Sequence, residues 1–179
     1  MNKKLLVISS TPRKGGNSDI LCDQFIAGAK EAGHSAEKIF LADKKIAYCK
    51  GCMACMKTGV CIIKDDMSEI LPKMAEADVI VLATPVYFYT MTAQLKTMID
   101  RTVPQLADIK NKDFYFILSA GDTSHKNMHR TLESLRGFTE DCLENAKEKG
   151  IIYGTGATEV GDVKTLPVMQ EAFTMGKNI

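Results

Sequence analysis

Five short apolar runs, rich in β-branched or aromatic residues, recur along this 179-residue chain, and longer segments of helical periodicity lie between them. Residues 5–9 (LLVIS), 36–41, 79–84 (VIVLAT), 114–119 (FYFILS) and 151–155 read as strands. Three of them are apolar almost continuously, the pattern of parallel strands covered on both faces. The helical segments are 18–31, 66–77, 91–102, 126–149 and 167–176. The first has Asn17 or Ser18 as N-cap and Gly33 just past its end. Pro72 sits where it would kink the second helix or delay its start.

Strand-helix alternation implies right-handed crossovers and a doubly wound α/β three-layer sandwich. Five parallel strands favour the flavodoxin-like order 2-1-3-4-5, whose ligand site lies at the switch point between the first and third strands. The chain is expected to form a single domain over residues 1–179, with a cysteine-rich insertion at about 47–63. At 45% hydrophobic and 25% charged residues, with a net charge of +1, it carries no basic face for nucleic acid. The first apolar run is shorter than a signal peptide's core and no segment approaches a membrane span, so a cytoplasmic protein without a membrane partner is expected.

Both switch-point loops are unusual. After the first strand, SSTPRKGGNS offers Ser10, Thr11, Arg13, Asn17 and Ser18 as hydroxyl, guanidinium and helix N-terminal donors to a phosphate. It lacks both G-x-G-x-x-G and G-K-[ST], and so suits a terminal monophosphate. A polar turn with capping residues is the plain alternative. After the third strand, TPVYFYT places three consecutive aromatics at a strand end. At least one of them should line a cleft where a flat ligand stacks, and the two loops together point to FMN.

Four of six cysteines fall within residues 49–61, CKGCMACMKTGVC. A cytosolic chain of this size needs no disulfide staple, and clustered thiols there are more often metal-binding or catalytic. The spacing C-x2-C-x2-C-x5-C begins like a bacterial ferredoxin run with a fourth thiolate nearby, so Cys49, Cys52, Cys55 and Cys61 suit a 4Fe-4S cluster. A zinc site, a redox-active Cys52–Cys55 pair and a loop without a cofactor remain open. Gly51 and Gly59 would let the backbone turn, and Met53 and Met56 would line a nearby apolar surface. Cys22 and Cys142 read as core filling, and Asp65 and Asp66 as helix caps. His125 and His129 share a helix face but make a poor metal site.

SSTPRKGGNSDIL resembles the phosphate loop of the NADPH-dependent FMN reductase branch of flavodoxin-like proteins, and TPVYFYTMTAQLKTMIDR resembles its second flavin loop. CKGCMACMKTGVCIIKDDM is similar to the cysteine motif of the iron-sulfur flavoproteins in that branch, and IIYGTGATEVGDVKTLP to their C-terminal segments. The resemblance implies that Thr11, Arg13, Asn17 and Ser18 hold the FMN phosphate. It implies also that Pro85, Val86, Tyr87 and Phe88 contact the isoalloxazine, and that Ser119, Ala120 and Gly121, before Asp122, flank its other side. Ser10 stands where the family usually has glycine. No side-chain catalyst is expected, since FMN carries the chemistry between NAD(P)H and an acceptor. That acceptor is a small molecule such as a quinone, a nitro or azo compound or free flavin, or alternatively a ferredoxin-like protein served through the cluster. A flavin-binding regulatory protein is the third reading. A homodimer or higher homo-oligomer is expected from the family.

Overall fold

The structure, a computed structural model, describes residues 2–179. Strands β1 (Lys4–Ser9), β2 (Ser35–Phe40), β3 (Val79–Pro85), β4 (Asp113–Ser119) and β5 (Lys147–Gly154) form one parallel sheet in the order β2-β1-β3-β4-β5. Helices α1 (Asn17–Glu31), α2 (Ala54–Thr58), α3 (Met67–Glu76), α4 (Ala93–Asp100), α5 (His129–Cys142) and α6 (Val168–Lys177) complete the fold.

Side-chain alternation along the strands divides the core into two layers. Ile80 and Leu82 of β3, with Phe114, Phe116 and Leu118 of β4, pack under α3, α4 and α5; Val79, Val81 and Ala83, with Tyr115 and Ile117, pack under α1 and α6. Both faces of the central strands are buried, which is why their sequence is continuously apolar. Helices α1 and α6 cross with backbones in contact. A Cβ on Gly28 would lie 2.0 Å from the Phe173 carbonyl oxygen, and one on Gly176 would lie 2.0 Å from that of Phe25. Only glycine fits at either place.

The expected helix over 126–149 is the largest departure. Residues 125–128 form a 3-10 turn, α5 ends at Cys142, and Asn145 takes a left-handed φ of 55° before β5 begins at Lys147. The KEKG start of β5 is charged because it is an edge strand, and Glu148 pairs with Arg136 at 2.8 Å. Pro72 lies inside α3 without delaying its start. The α1 N-cap is Gly16, one residue before Asn17 and two before Ser18, the two expected caps, and it makes no side-chain cap bond. Cys142 is exposed, contrary to its expected core role, whereas Cys22 is buried. Burial, reinforced by Asp19, pushes the Cys22 thiol far up, so it stays protonated and inert. No helix among the described residues is long and apolar enough to cross a membrane.

Candidate flavin site and cysteine loop

The loops after β1, β3 and β4 emerge side by side, since Ser9 pairs with Ala83 and Pro85 with Ser119 in the sheet. In the first loop Thr11 is buried and its Oγ1 accepts from the Arg13 amide at 3.2 Å, fixing the turn. The Ser18 hydroxyl, in the first turn of α1, is buried and has no protein partner. First-turn amides of a helix also lack intrahelical acceptors. An orphaned donor at a helix N-terminus is what a phosphate satisfies, so Ser18 and its neighbouring amides fit the terminal phosphate of FMN.

Asn17 and Ser10 are spent differently. Asn17 Nδ2 donates to the carbonyls of Ala157 (3.2 Å) and Glu159 (2.8 Å), while Oδ1 accepts from the amides of Gly161 (3.0 Å) and Val163 (3.5 Å). Its side chain therefore docks the segment after β5 against α1, and only its backbone N–H remains for an anion. Arg13 reaches the same segment, both of its terminal nitrogens donating to the Thr158 carbonyl at 3.3 Å. Its exposed guanidinium stays within the loop's reach. Ser10 Oγ faces inward: it donates to the Ala83 carbonyl at 2.7 Å and accepts from Thr92 Oγ1 at 2.9 Å. Thr92 caps α4 by accepting from the Leu95 amide, and its own amide donates to Thr84 Oγ1 at 3.0 Å. A hydroxyl replaces the family's usual glycine here by joining the first loop to the second.

The aromatic loop is a tight hairpin turn. Tyr87 and Thr90 exchange both backbone hydrogen bonds, at 3.0 and 3.1 Å, with Phe88 and Tyr89 between them at φ of 49° and 63°. Two left-handed central residues define a type I′ turn, which normally takes Asn-Gly. Aromatics there are strained by roughly 1–3 kcal/mol each, and such strain clusters at functional sites. Phe88 is 99% exposed. Val86, Phe88, Tyr89, Ala120, Gly121, Asp122, Asn127 and Met128 line a cavity of about 310 Å³, bringing together most of the residues expected to flank a flavin ring. The Val86 amide donates to the Ser119 carbonyl at 2.8 Å, and Arg130 lies 5.8 Å from the Tyr89 ring centroid. Asp122 accepts from the Ser124 amide (2.8 Å) and Asn127 Nδ2 (2.7 Å), which holds it below the usual carboxylate range.

The cysteine loop lies after β2. All four thiols, Cys49, Cys52, Cys55 and Cys61, line one cavity of about 50 Å³ with Met53, Ile62, Ile63 and Val103. Gly51 and Gly59 both have positive φ, 63° and 68°, so the loop turns where the sequence led us to expect. The Gly51 amide donates to Cys49 Sγ at 3.4 Å. Among the described residues no group of three His, Cys, Asp or Glu side chains could hold a single metal ion. Four cysteines lining one apolar space supply the soft donors that an iron-sulfur cluster takes.

Sequence reasoning did not find the neck of this loop. Arg101, just past α4, has a side chain only 1% exposed; its Nη1 donates to the Ala47 carbonyl and to Asp65 Oδ2 (2.7 Å), its Nη2 to Asp65 Oδ1 (3.0 Å) and the Ile63 carbonyl (3.4 Å). Asp65 accepts in addition from the amides of Ala47 (3.0 Å) and Met67 (3.2 Å). Burial opposes ionisation, yet these donors, Arg101 foremost, hold the Asp65 carboxyl below its ordinary value. Asp66 accepts from the Lys45 amide at 2.7 Å, so the acidic pair caps less than it closes the loop's stem. His125 packs against the Tyr153 ring and joins no ligand cluster. A larger cavity, about 630 Å³ between Tyr115, Lys149 and α6, stands apart from these loops.

Residues 3–140 match the NADPH-dependent FMN reductase family. A protein of Methanosarcina thermophila named iron-sulfur flavoprotein is 36% identical over 141 residues, 75% of this chain and 72% of the relative. One of Archaeoglobus fulgidus with the same name is 41% identical over 101 residues, 56% of this chain and 46% of the relative, so the match spans less than half of that protein. Among solved structures, the NAD(P)H:quinone oxidoreductase from Methanothermobacter marburgensis superposes with a TM-score of 0.76 at 19% identity, covering 99% of this chain and 97% of that one. At that identity the likeness speaks for the fold. On its sheet order, its switch-point loops and the family match over 3–140, the chain belongs to the NADPH-dependent FMN reductase family.

Proposed function

We propose that this protein is an FMN-dependent NAD(P)H oxidoreductase that passes electrons to a small acceptor of the quinone, nitro, azo or flavin type. The observation that carries the reading is the buried, unpartnered Ser18 hydroxyl at the α1 N-terminus, one strand away from a strained aromatic turn. Family membership supports it. FMN, when bound, supplies hydride acceptance and electron delivery. The chain's own residues do the rest. Thr11, Arg13, Ser18 and the first-turn amides bind the phosphate. Backbone at Pro85, Val86 and Tyr87, with Ser119, Ala120 and Gly121 opposite, orients the ring, and Phe88 and Tyr89 offer aromatic faces that exclude water.

Anaerobic NAD(P)H oxidation assayed with each acceptor class tests this: turnover several times per second or faster with at least one is expected. Slow oxidation with all of them would favour the regulatory reading and sink the enzymatic one. Replacing Ser18 by alanine is expected to weaken FMN binding by about tenfold, the value of one charge-assisted hydrogen bond.

A second reading rests on the cavity that all four cysteines share. In it Cys49, Cys52, Cys55 and Cys61 hold a 4Fe-4S cluster that relays electrons between FMN and a ferredoxin-like partner. The names of the relatives from Methanosarcina and Archaeoglobus support it. Anaerobically purified protein should then contain about four iron and four sulfide per chain beside one FMN. Yellow protein free of iron would remove the cluster and leave the reductase standing. Tyr48, Met53, Met56, Val60 and Ile62 leave an apolar surface exposed on this loop. It suits burial by a second copy, which light scattering would show as a homodimer.

A further inference from the structure

We propose that Arg101 is the positioning residue of the cysteine loop: it closes the loop's neck and fixes a buried, permanently charged guanidinium behind Cys61. The effect on a cluster rests on the second reading above; the closing of the neck does not.

The geometry is that of a clasp. Ala47 precedes the first cysteine by two residues and Ile63 follows the last by two, and one guanidinium binds both carbonyls. Asp65 completes the ring, taking two bonds from Arg101 and one from the Ala47 amide. Ala47 is thus held through both its N–H and its C=O. Arg101 Nε is buried and unsatisfied by any hydrogen bond. Arg101 and Cys61 line a common cavity with Gln105, and Cys61 also lines the cavity that the four cysteines share, so Cys61 adjoins both. An orphaned donor on a buried cation at this position needs a reason, since such a group is expensive to leave unpaired.

In the second reading, a 4Fe-4S cluster and the four thiolates that hold it would together carry net negative charge. A fixed cation within a low-dielectric neck offsets that charge strongly, because water cannot screen it. Iron-sulfur potentials respond to net charge and to hydrogen bonds on the sulfurs, so a buried guanidinium at Cys61 raises the potential. Lysine would keep the charge but lose the fork that grips two carbonyls and a carboxylate together. Helix α4 connects this clasp to the aromatic turn, since Thr92 caps it at one end and Arg101 terminates it at the other.

The test compares FMN-loaded wild type with Arg101→Lys, Arg101→Gln and the double variant Arg101→Met/Asp65→Leu. The double variant replaces the ion pair with apolar side chains of similar size and so retains the fold even where the glutamine variant does not. Amide hydrogen exchange over residues 47–63 is read first, on metal-free protein. Exchange about tenfold faster or more is expected in the glutamine and double variants, with lysine between them and wild type. The cluster potential is read second: it should shift to more negative values without the cation and recover partly with lysine. Unchanged exchange together with an unchanged potential overturns the proposal. If wild type binds no iron, the cluster reading fails alone, and exchange decides by itself: faster supports the clasp, unchanged overturns it.

Discussion

The phosphate loop and the cysteine loop both follow strands at the same end of the sheet, yet they are held in opposite ways. The first is tied across the fold: Asn17 alone bonds four backbone groups at residues 157–163, and Ser10 locks onto β3 and α4. In the second, the bonds are short-range, from Gly51 to Cys49, Met56 to Met53, Gly59 to Cys55 and Thr58 to Ala54. Among the described residues its long-range hydrogen bonds lie at the neck, through Arg101, Asp65 and Asp66. A loop built by the polypeptide is already in its working shape. The other places its cysteines around an apolar space and leaves Tyr48, Met53, Met56, Val60 and Ile62 exposed, the kind of apolar patch that marks interaction sites.

The sharpest way to break this contrast is to compare Asn17→Ala with Cys49→Ala/Cys52→Ala/Cys55→Ala/Cys61→Ala, both free of metal. The first removes four bonds and strands buried carbonyls and amides, so a loss of about 2–4 kcal/mol is expected. That corresponds to a drop in Tm of roughly 5–15 °C for a chain of this size. The quadruple variant should change stability by less than about 1 kcal/mol, since no core contact depends on those thiols. Thermal denaturation of the two proteins decides it, and equal losses would show the cysteine loop to be structural.

A second comparison sets function against stability within the flavin site. Phe88→Asn/Tyr89→Gly gives the type I′ turn its preferred residues, and the protein should gain about 1–2 kcal/mol as the strain is relieved. FMN affinity, measured by fluorescence titration, should fall as the aromatic faces are lost. A variant both less stable and unchanged in affinity would contradict the functional account of the strain.

Ser10→Ala probes the joint between the two flavin loops. Thr92 Oγ1 would lose one of its two acceptors and the Ala83 carbonyl a donor, and a cost of about 1–2 kcal/mol is expected; measured in a Thr92→Val background, where that partner is already gone, the same substitution should cost less. Additive losses in the double variant would show that the two hydroxyls act separately.

The sheet order was legible because β1, β3 and β4 are buried on both faces and their sequences carry no polar interruption. The start of β5 was not, because an edge strand tolerates the charges of KEKG, which read as the end of a helix. Residue types singled out the two loops as places to look for unusual chemistry, and the structure gathers Val86, Phe88, Ala120 and Gly121, but not Pro85, Tyr87 or Ser119, around one cavity. What a hydroxyl or amide bonds to was hidden, as Ser10 and Asn17 show, since their partners lie 73 and 140–146 residues away. Arg101 gave no local signal at all: a cation at the end of an amphipathic helix normally snorkels to water, and only its pairing with Asp65, 36 residues earlier, explains its burial.

The smallest effect expected lies at Asp122, which shapes the loop opposite the aromatic turn. Its folded pKa is depressed by the Ser124 amide first and Asn127 next, from an ordinary value of 3.8. A depressed carboxyl contributes stability above its unfolded pKa and loses it as pH falls through the folded one. Wild type should therefore be slightly more stable than Asp122→Asn at pH 7, the gap should hold down to about pH 5, and it should narrow below 3.8 as the carboxyl is protonated. Thermal denaturation between pH 7 and pH 3 measures the gap directly. A gap that widened on acidification would mean that Asp122 is held by something other than these two donors, and its loop would then lack the in-chain support that holds the phosphate loop.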